Sequence, residues 1–161
     1  MEKRQPKITD KKRRGDWAEM IFMARATEMG IQVSKPWGES RSYDFVVGCP
    51  GRFVAVQVKS TTEDLGGRYL CCVRGNGNRL YQLGDFDFLA AYVIYENIFY
   101  IIPLQKILGK QHLSLYPNLE KGEYAEYREA WKFLDPNAGT EENRIDSIQA
   151  CAEEFSYDSI E

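Results

Sequence analysis

Apolar positions along the chain change their period several times, and each change predicts an element. In GDWAEMIFMARATEM the apolar residues recur at helical spacing, predicting a helix over about residues 15–29 with Gly30 as its stop. Thr9 or Asp10 offers a cap further upstream. IQVSKP (31–36) reads as a strand, and WGESRS after it as a loop. The run YDFVVGCPGRFVAVQVKS (43–60) predicts two strands around a Pro50-Gly51 turn. Further on, Tyr69–Arg74 is a short strand and GNGN (75–78) a turn. Phe88–Tyr95 and Ile98–Pro103 form a strand pair joined at Glu96-Asn97, Leu104–Leu108 a short helix and His112–Tyr116 a strand. In YAEYREAWKFL, Tyr124, Tyr127, Trp131 and Leu134 recur at helical spacing and predict an amphipathic helix. The sum is an α/β or mixed α+β domain, with one N-terminal helix packed on a mixed central sheet and further helices around it.

Polar residues interrupt this pattern at one place. Within 43–60 the strands are mostly apolar, yet they carry Asp44, Gln57 and Lys59. If Cys49 pairs with Arg52, Asp44 lies opposite Gln57; if Gly48 pairs with Gly51, it lies opposite Ala55. Both registers put Asp44 on one face with Gln57 and Lys59, while Val54, Val56 and Val58 face the other way. A one-residue bulge would break the inference.

The first helix supplies a fourth polar residue. With Trp17 at zero and about 100° per residue, Phe22 falls near 140°, Ala26 near 180° and Glu19 near 200°. Glu19 is therefore on the apolar side, away from Arg25 and Glu28. A carboxylate there needs a partner or a metal, and Lys59 is the candidate for a purely structural pair.

Charge is unevenly distributed. The chain has 161 residues and net charge -3, but residues 1–14 hold seven Lys/Arg against Glu2 and Asp10, while 135–161 hold eight acids against Arg144. The expected organisation is a basic, flexible arm (1–14), one domain (15–134) and an acidic, loosely ordered tail (135–161). A basic arm suits a polyanion, since neutralised phosphates release counterions; a solubilising start is the alternative. No apolar run is long enough for a membrane helix, so a soluble, cytoplasmic protein is expected. Cys49, Cys71, Cys72 and Cys151 form no metal-ligand spacing, and His112 is the only histidine, which excludes sites that need two imidazoles.

A helical Glu, an Asp at the start of a strand and a Lys ending the next strand resemble the PD-(D/E)XK nuclease superfamily. GDWAEMIF, YDFVV and QVKS carry the pattern in order, and FDFLAAYVIYENIFYIIPL is similar to its second half, so that residues 13–116 are covered. Gln57 in place of the usual acid resembles the Q-x-K branch, which holds a cyanobacterial group I intron homing endonuclease and stands close to Holliday-junction-resolvase-like nucleases. Tyr43 stands where the family name has its Pro.

This resemblance implies a restriction-endonuclease-like core and a metal-dependent DNA endonuclease. Asp44 would be the main ligand of Mg²⁺, with Mn²⁺ plausible in its place; Glu19, Gln57 and the Val58 carbonyl would complete the set. Lys59 would polarise the attacking water. Nucleic-acid contacts would come from Lys11, Lys12, Arg13, Arg14, Arg41, Ser60, Arg68, Asn76 and Arg79. Cutting two strands suits a homodimer or homotetramer. The rival readings are a nuclease fold kept only to bind nucleic acid or protein, for which Gln57 is the best argument, and a resolvase acting on four-way junctions. Asp85 and Asp87 are read as shaping a turn.

Overall fold

Asp10 caps the first element. Its Oδ1 accepts the Arg13 backbone N–H at 2.8 Å, and helix α1 runs Lys11–Glu28. The computed structural model describes residues 5–38, 41–49 and 52–135. Because the cap is Asp10, the helix starts four residues earlier than the apolar period indicates. Lys11–Arg14, expected to belong to a flexible arm, form its first turn. Residues 1–4, the Pro50-Gly51 turn and the acidic tail from Pro136 onward lie outside the described residues.

Among the described residues seven strands follow: β1 Gln32–Ser34, β2 Phe45–Cys49, β3 Arg52–Thr61, β4 Tyr69–Cys72, β5 Phe88–Val93, β6 Ile98–Pro103 and β7 His112–Leu115. Five make a mixed sheet in the order β1-β2-β3-β5-β6, in which only the β3–β5 pairing is parallel. β4 and β7 form a separate antiparallel pair. The central strands are buried on both faces, which is why FLAAYV in β5 reads as an unbroken apolar run. Ala90 and Tyr92 face the core under α1, with Phe22, Val54, Val56 and Val58. Leu89, Ala91 and Val93 face a second core with Tyr69 and Cys71 of β4 and Leu113 of β7. Cys71 is buried and Cys72 exposed, as neighbours in a strand should be.

The segment 124–134 is not the predicted α-helix. It forms two 3₁₀ turns, Ala125–Tyr127 and Trp131–Phe133, and α1 is the only α-helix among the described residues. Glu129, between the turns, adopts a left-handed backbone (φ 50°). Its N–H donates to the Phe99 carbonyl at 2.7 Å, and its carboxylate accepts the Phe99 N–H at 2.6 Å and the Trp131 indole N–H at 2.7 Å. The segment thus covers the outer edge of β6, whose free backbone groups outcompete continuation of a helix. Tyr124/Tyr127 and Trp131/Leu134 are spaced by three, which suits the tighter turn as well as an α-helix, and all four are buried. Leu104–Leu108, predicted as a short helix, is likewise a 3₁₀ turn, Leu104–Lys106.

Candidate active site

The β2–β3 register settles the position of Asp44. Cys49 pairs with Arg52 and Phe45 with Val56 without a bulge, so Asp44 stands one rung beyond the ladder, opposite Gln57. Its N–H still donates to the Val56 carbonyl at 2.9 Å, which fixes the backbone, and Asp44 Oδ2 accepts two hydrogen bonds. One comes from the Val58 N–H at 2.7 Å and one from Gln57 Nε2 at 2.6 Å. Gln57 Nε2 also donates to the Val58 carbonyl at 3.1 Å. Asp44, Gln57 and Val58 thus converge as one unit.

Lys59 follows on the same face as Gln57. Its ammonium lies 6.0 Å from the centroid of the Tyr81 ring, and among the described residues it has no ion-pair partner. Burial pushes the Asp44 carboxyl up to about 6; the Val58 N–H opposes this, the charge of Glu19 adds to it, and Lys59 and Lys35 pull it back down. Tyr81 is buried, and burial raises its hydroxyl well above the ordinary range.

Glu19 reaches the same place from α1. The helix buries Ala18, Phe22 and Ala26, and Glu19 stands at the margin of that stripe. Its partner is not Lys59: Lys35, just past β1, donates to Glu19 Oε2 at 2.8 Å. That hydrogen bond, with the charges of Glu19, Asp44 and Asp16 nearby, holds the Lys35 ammonium above its ordinary value. Among the described residues no three His, Cys, Asp or Glu side chains come together as a metal cluster. Gln57 occupies the place where a further carboxylate would have been required.

These groups line an open cleft of about 550 Å³. Of the basic and polar residues predicted to contact nucleic acid, Lys12, Arg41, Asn76 and Arg79 line it. Arg79 is not free, since it pairs with both carboxylate oxygens of Asp85 at 2.8 Å and donates to Ser42 Oγ at 2.9 Å. Asp85, held by Arg79 and the Gln82 N–H, is lowered to about 2. Lys11, Arg13, Arg14, Ser60 and Arg68 do not line the cleft. Ser60 has the opposite parity to Lys59 in β3 and so the opposite face. Asp85 closes a turn, its N–H donating to the Gln82 carbonyl at 3.2 Å, whereas Asp87 ties the start of β5 to β3 by accepting the Ala55 N–H at 2.8 Å.

Two cleft residues escaped the sequence reading. Asp16 lies three residues before Glu19 on α1, close to it on the helix surface. Lys35 stands one rung beyond Ser34↔Val46, opposite Phe45 and hence beside Asp44; pairing β1 with β2 would have exposed it.

The oxygen donors present fit a hard divalent cation. Asp44 and the Val58 carbonyl both accept from the Gln57 amide NH2, a partial positive charge bridging two oxygens. The Gln57 amide can present its oxygen instead by a half-turn about its last bond.

Comparison with known proteins agrees with this fold. In a structural comparison, a bacterial homing endonuclease, I-Ssp6803I, superposes with a TM-score of 0.68 at 32% identity, covering 77% of this chain and 92% of that one. No curated protein matches at a comparable level of significance. The PD-(D/E)XK endonuclease family model matches residues 9–134, the stretch from the α1 cap to the end of the second 3₁₀ turn. Because that match spans most of its length, the chain belongs to the PD-(D/E)XK endonuclease family.

Proposed function

We propose that the protein is a Mg²⁺-dependent DNA endonuclease that hydrolyses phosphodiester bonds in the manner of a homing endonuclease, with Mn²⁺ able to replace Mg²⁺. The observation that carries this reading is that Glu19, Asp44, Gln57 and Lys59 line one cleft, the Lys59 ammonium having no ion-pair partner among the described residues. Asp44, Glu19, the Val58 carbonyl and the Gln57 amide oxygen would hold the ion. When bound, it would neutralise charge building on the phosphate and lower the pKa of a water.

The remaining roles fall to the protein. Lys59 orients the attacking water and stabilises the charge that develops on the phosphate oxygens. Val58 N–H holds Asp44 through Oδ2 in the wall of the cleft. Lys12 and Arg41 at the rim supply positive charge for the nucleic-acid backbone. Two cuts in a duplex call for two copies of this site, supplied by a two-fold dimer or a dimer of dimers.

One observation favours a second reading, in which the fold binds nucleic acid without cutting it. Gln57 already joins Asp44 to Val58 through the protein's own hydrogen bonds, and it brings no charge for a metal. A plasmid-nicking assay separates the two. Cleavage in Mg²⁺ or Mn²⁺ that is lost in Asp44→Ala and Lys59→Ala supports the endonuclease. Retained DNA binding without cleavage of duplex, branched or single-stranded substrates supports the binding module.

A further inference from the structure

Segment 74–86 is built around one side chain. Gly75, Asn76, Arg79 and Tyr81 all line the cleft from it, and Tyr81 is buried. A bridge pairs Arg74 with Leu80, and the Gly75 N–H donates to the Arg79 carbonyl at 2.9 Å. These bonds close the GNGN turn, in which Gly77 and Asn78 adopt left-handed backbones (φ 66° and 63°). The Tyr81 hydroxyl donates to the Arg74 carbonyl at 3.3 Å, and Phe86 meets the ring edge to face at 4.7 Å. The ring lies so close over Gly75 that a Cβ there would come within 3.2 Å of it. Beyond Tyr81, Asp85 accepts from Arg79 and from the Gln82 N–H, and Arg79 reaches across to Ser42. The Tyr81 ring is thus held from both ends of its loop.

That ring faces Lys59. The Lys59 ammonium stands over it, 6.0 Å from the centroid, and has no ion-pair partner among the described residues. Lys35, elsewhere in the cleft, is instead held by the Glu19 carboxylate at 2.8 Å, which offsets its charge. A neutral ring attracts a cation through its quadrupole and offsets nothing. It leaves the charge and all three N–H donors free for a water or a phosphate. Since the Tyr81 hydroxyl is committed to Arg74, what this residue gives Lys59 is its π-face.

We propose that Tyr81 is a positioning residue for phosphodiester hydrolysis, its ring holding the Lys59 ammonium in place without neutralising it. The proposal rests on the reading of the cleft as an endonuclease site and gives its aromatic wall a part in the chemistry. Tyr81 acts through Lys59 and not on the phosphate itself.

The test measures DNA nicking in Mg²⁺ by the full chain and its variants, with urea unfolding of each to confirm the fold. Tyr81→Phe keeps the ring face and should keep most of the rate. Tyr81→Leu should lower kcat by roughly 3- to 30-fold, the span of a partly desolvated cation–π contact. Its KM should hardly move, because no contact to the DNA is lost. In a Lys59→Met background, Tyr81→Leu should cost nothing further, as expected of two residues acting as one unit. Phenylalanines of increasing ring fluorination at position 81 keep the shape while draining the π-face, and their rates should fall in that order. This series decides the matter if Tyr81→Leu does not fold. A rate indifferent to fluorination, or a Tyr81→Leu loss that persists undiminished in Lys59→Met, overturns the proposal and leaves the endonuclease reading standing. A parent chain that cuts no DNA substrate in Mg²⁺ or Mn²⁺ overturns both.

Discussion

Gln57 donates through Nε2 to Asp44 Oδ2 at 2.6 Å, one rung beyond the last paired residues of β2 and β3. The bond joins a buried amide to a carboxyl whose pKa burial has raised to about 6. Asp44 is therefore costly to ionise, and a cation bound beside it would relieve that cost.

The sign of the resulting pH dependence follows from the raised value. Between the ordinary carboxyl value of 3.8 and about 6, the folded state keeps a proton that the unfolded state has lost. The Asp44 contribution to stability is full below that window and falls as pH rises through it. Urea unfolding in EDTA should show this decline in the parent, and Asp44→Asn should flatten it and be the more stable protein at neutral pH. The Asn oxygen can still accept from Val58 and Gln57.

Replacing Gln57 by Glu restores the family's usual acid. Without metal, Gln57→Glu should destabilise by about 1–3 kcal/mol, because a buried donor is lost and a second carboxylate sits against Asp44. Saturating Mg²⁺ or Mn²⁺ should recover the loss and raise the melting temperature more than in the parent. Thermal melts with and without metal measure both effects.

Lys59→Met separates chemistry from folding. The ammonium is partly buried and has no ion-pair partner among the described residues, so its removal should leave stability unchanged or slightly higher. Nicking should fall by about 10²–10⁴-fold, the range for a positioned proton-transfer group. Unfolding curves and cleavage rates on the same preparation test the split.

Lys35→Met removes the cation now paired with Glu19. The pair is partly exposed, with Lys35 64% and Glu19 22% accessible at their side chains, so stability should change by less than about 1 kcal/mol. A more negative cleft should bind a divalent ion several-fold more tightly, on the order expected for one unit charge a few ångströms away in water. Isothermal titration with Mn²⁺ reads this directly.

Much of this site was legible because it rests on strand parity. The turn at Pro50-Gly51 made an even loop, and the even loop put Asp44, Gln57 and Lys59 on one face whichever register held. The helix wheel placed Glu19 on the apolar side of α1, whereas it stands at the margin of the buried stripe and pairs with Lys35 rather than Lys59. Lys35 belongs to a different strand, and the β1–β2 pairing that brings it near was not read from the sequence. The segment 124–134 failed for another reason. Apolar spacing of three is shared by α and 3₁₀ turns, and the choice between them is made by the edge of β6 through Glu129, a long-range contact with no local sign. Helix α1 began early because its cap, Asp10, precedes four basic residues that carry no apolar signal.

A crystal soaked in saturating Mn²⁺ and measured for anomalous scattering tests the central claim most directly. The account predicts a peak between the Asp44 carboxylate and the Val58 carbonyl, with the Gln57 amide turned to present oxygen. A site that stays empty under saturating Mn²⁺, with Gln57 Nε2 still bridging Asp44 and Val58, would contradict it.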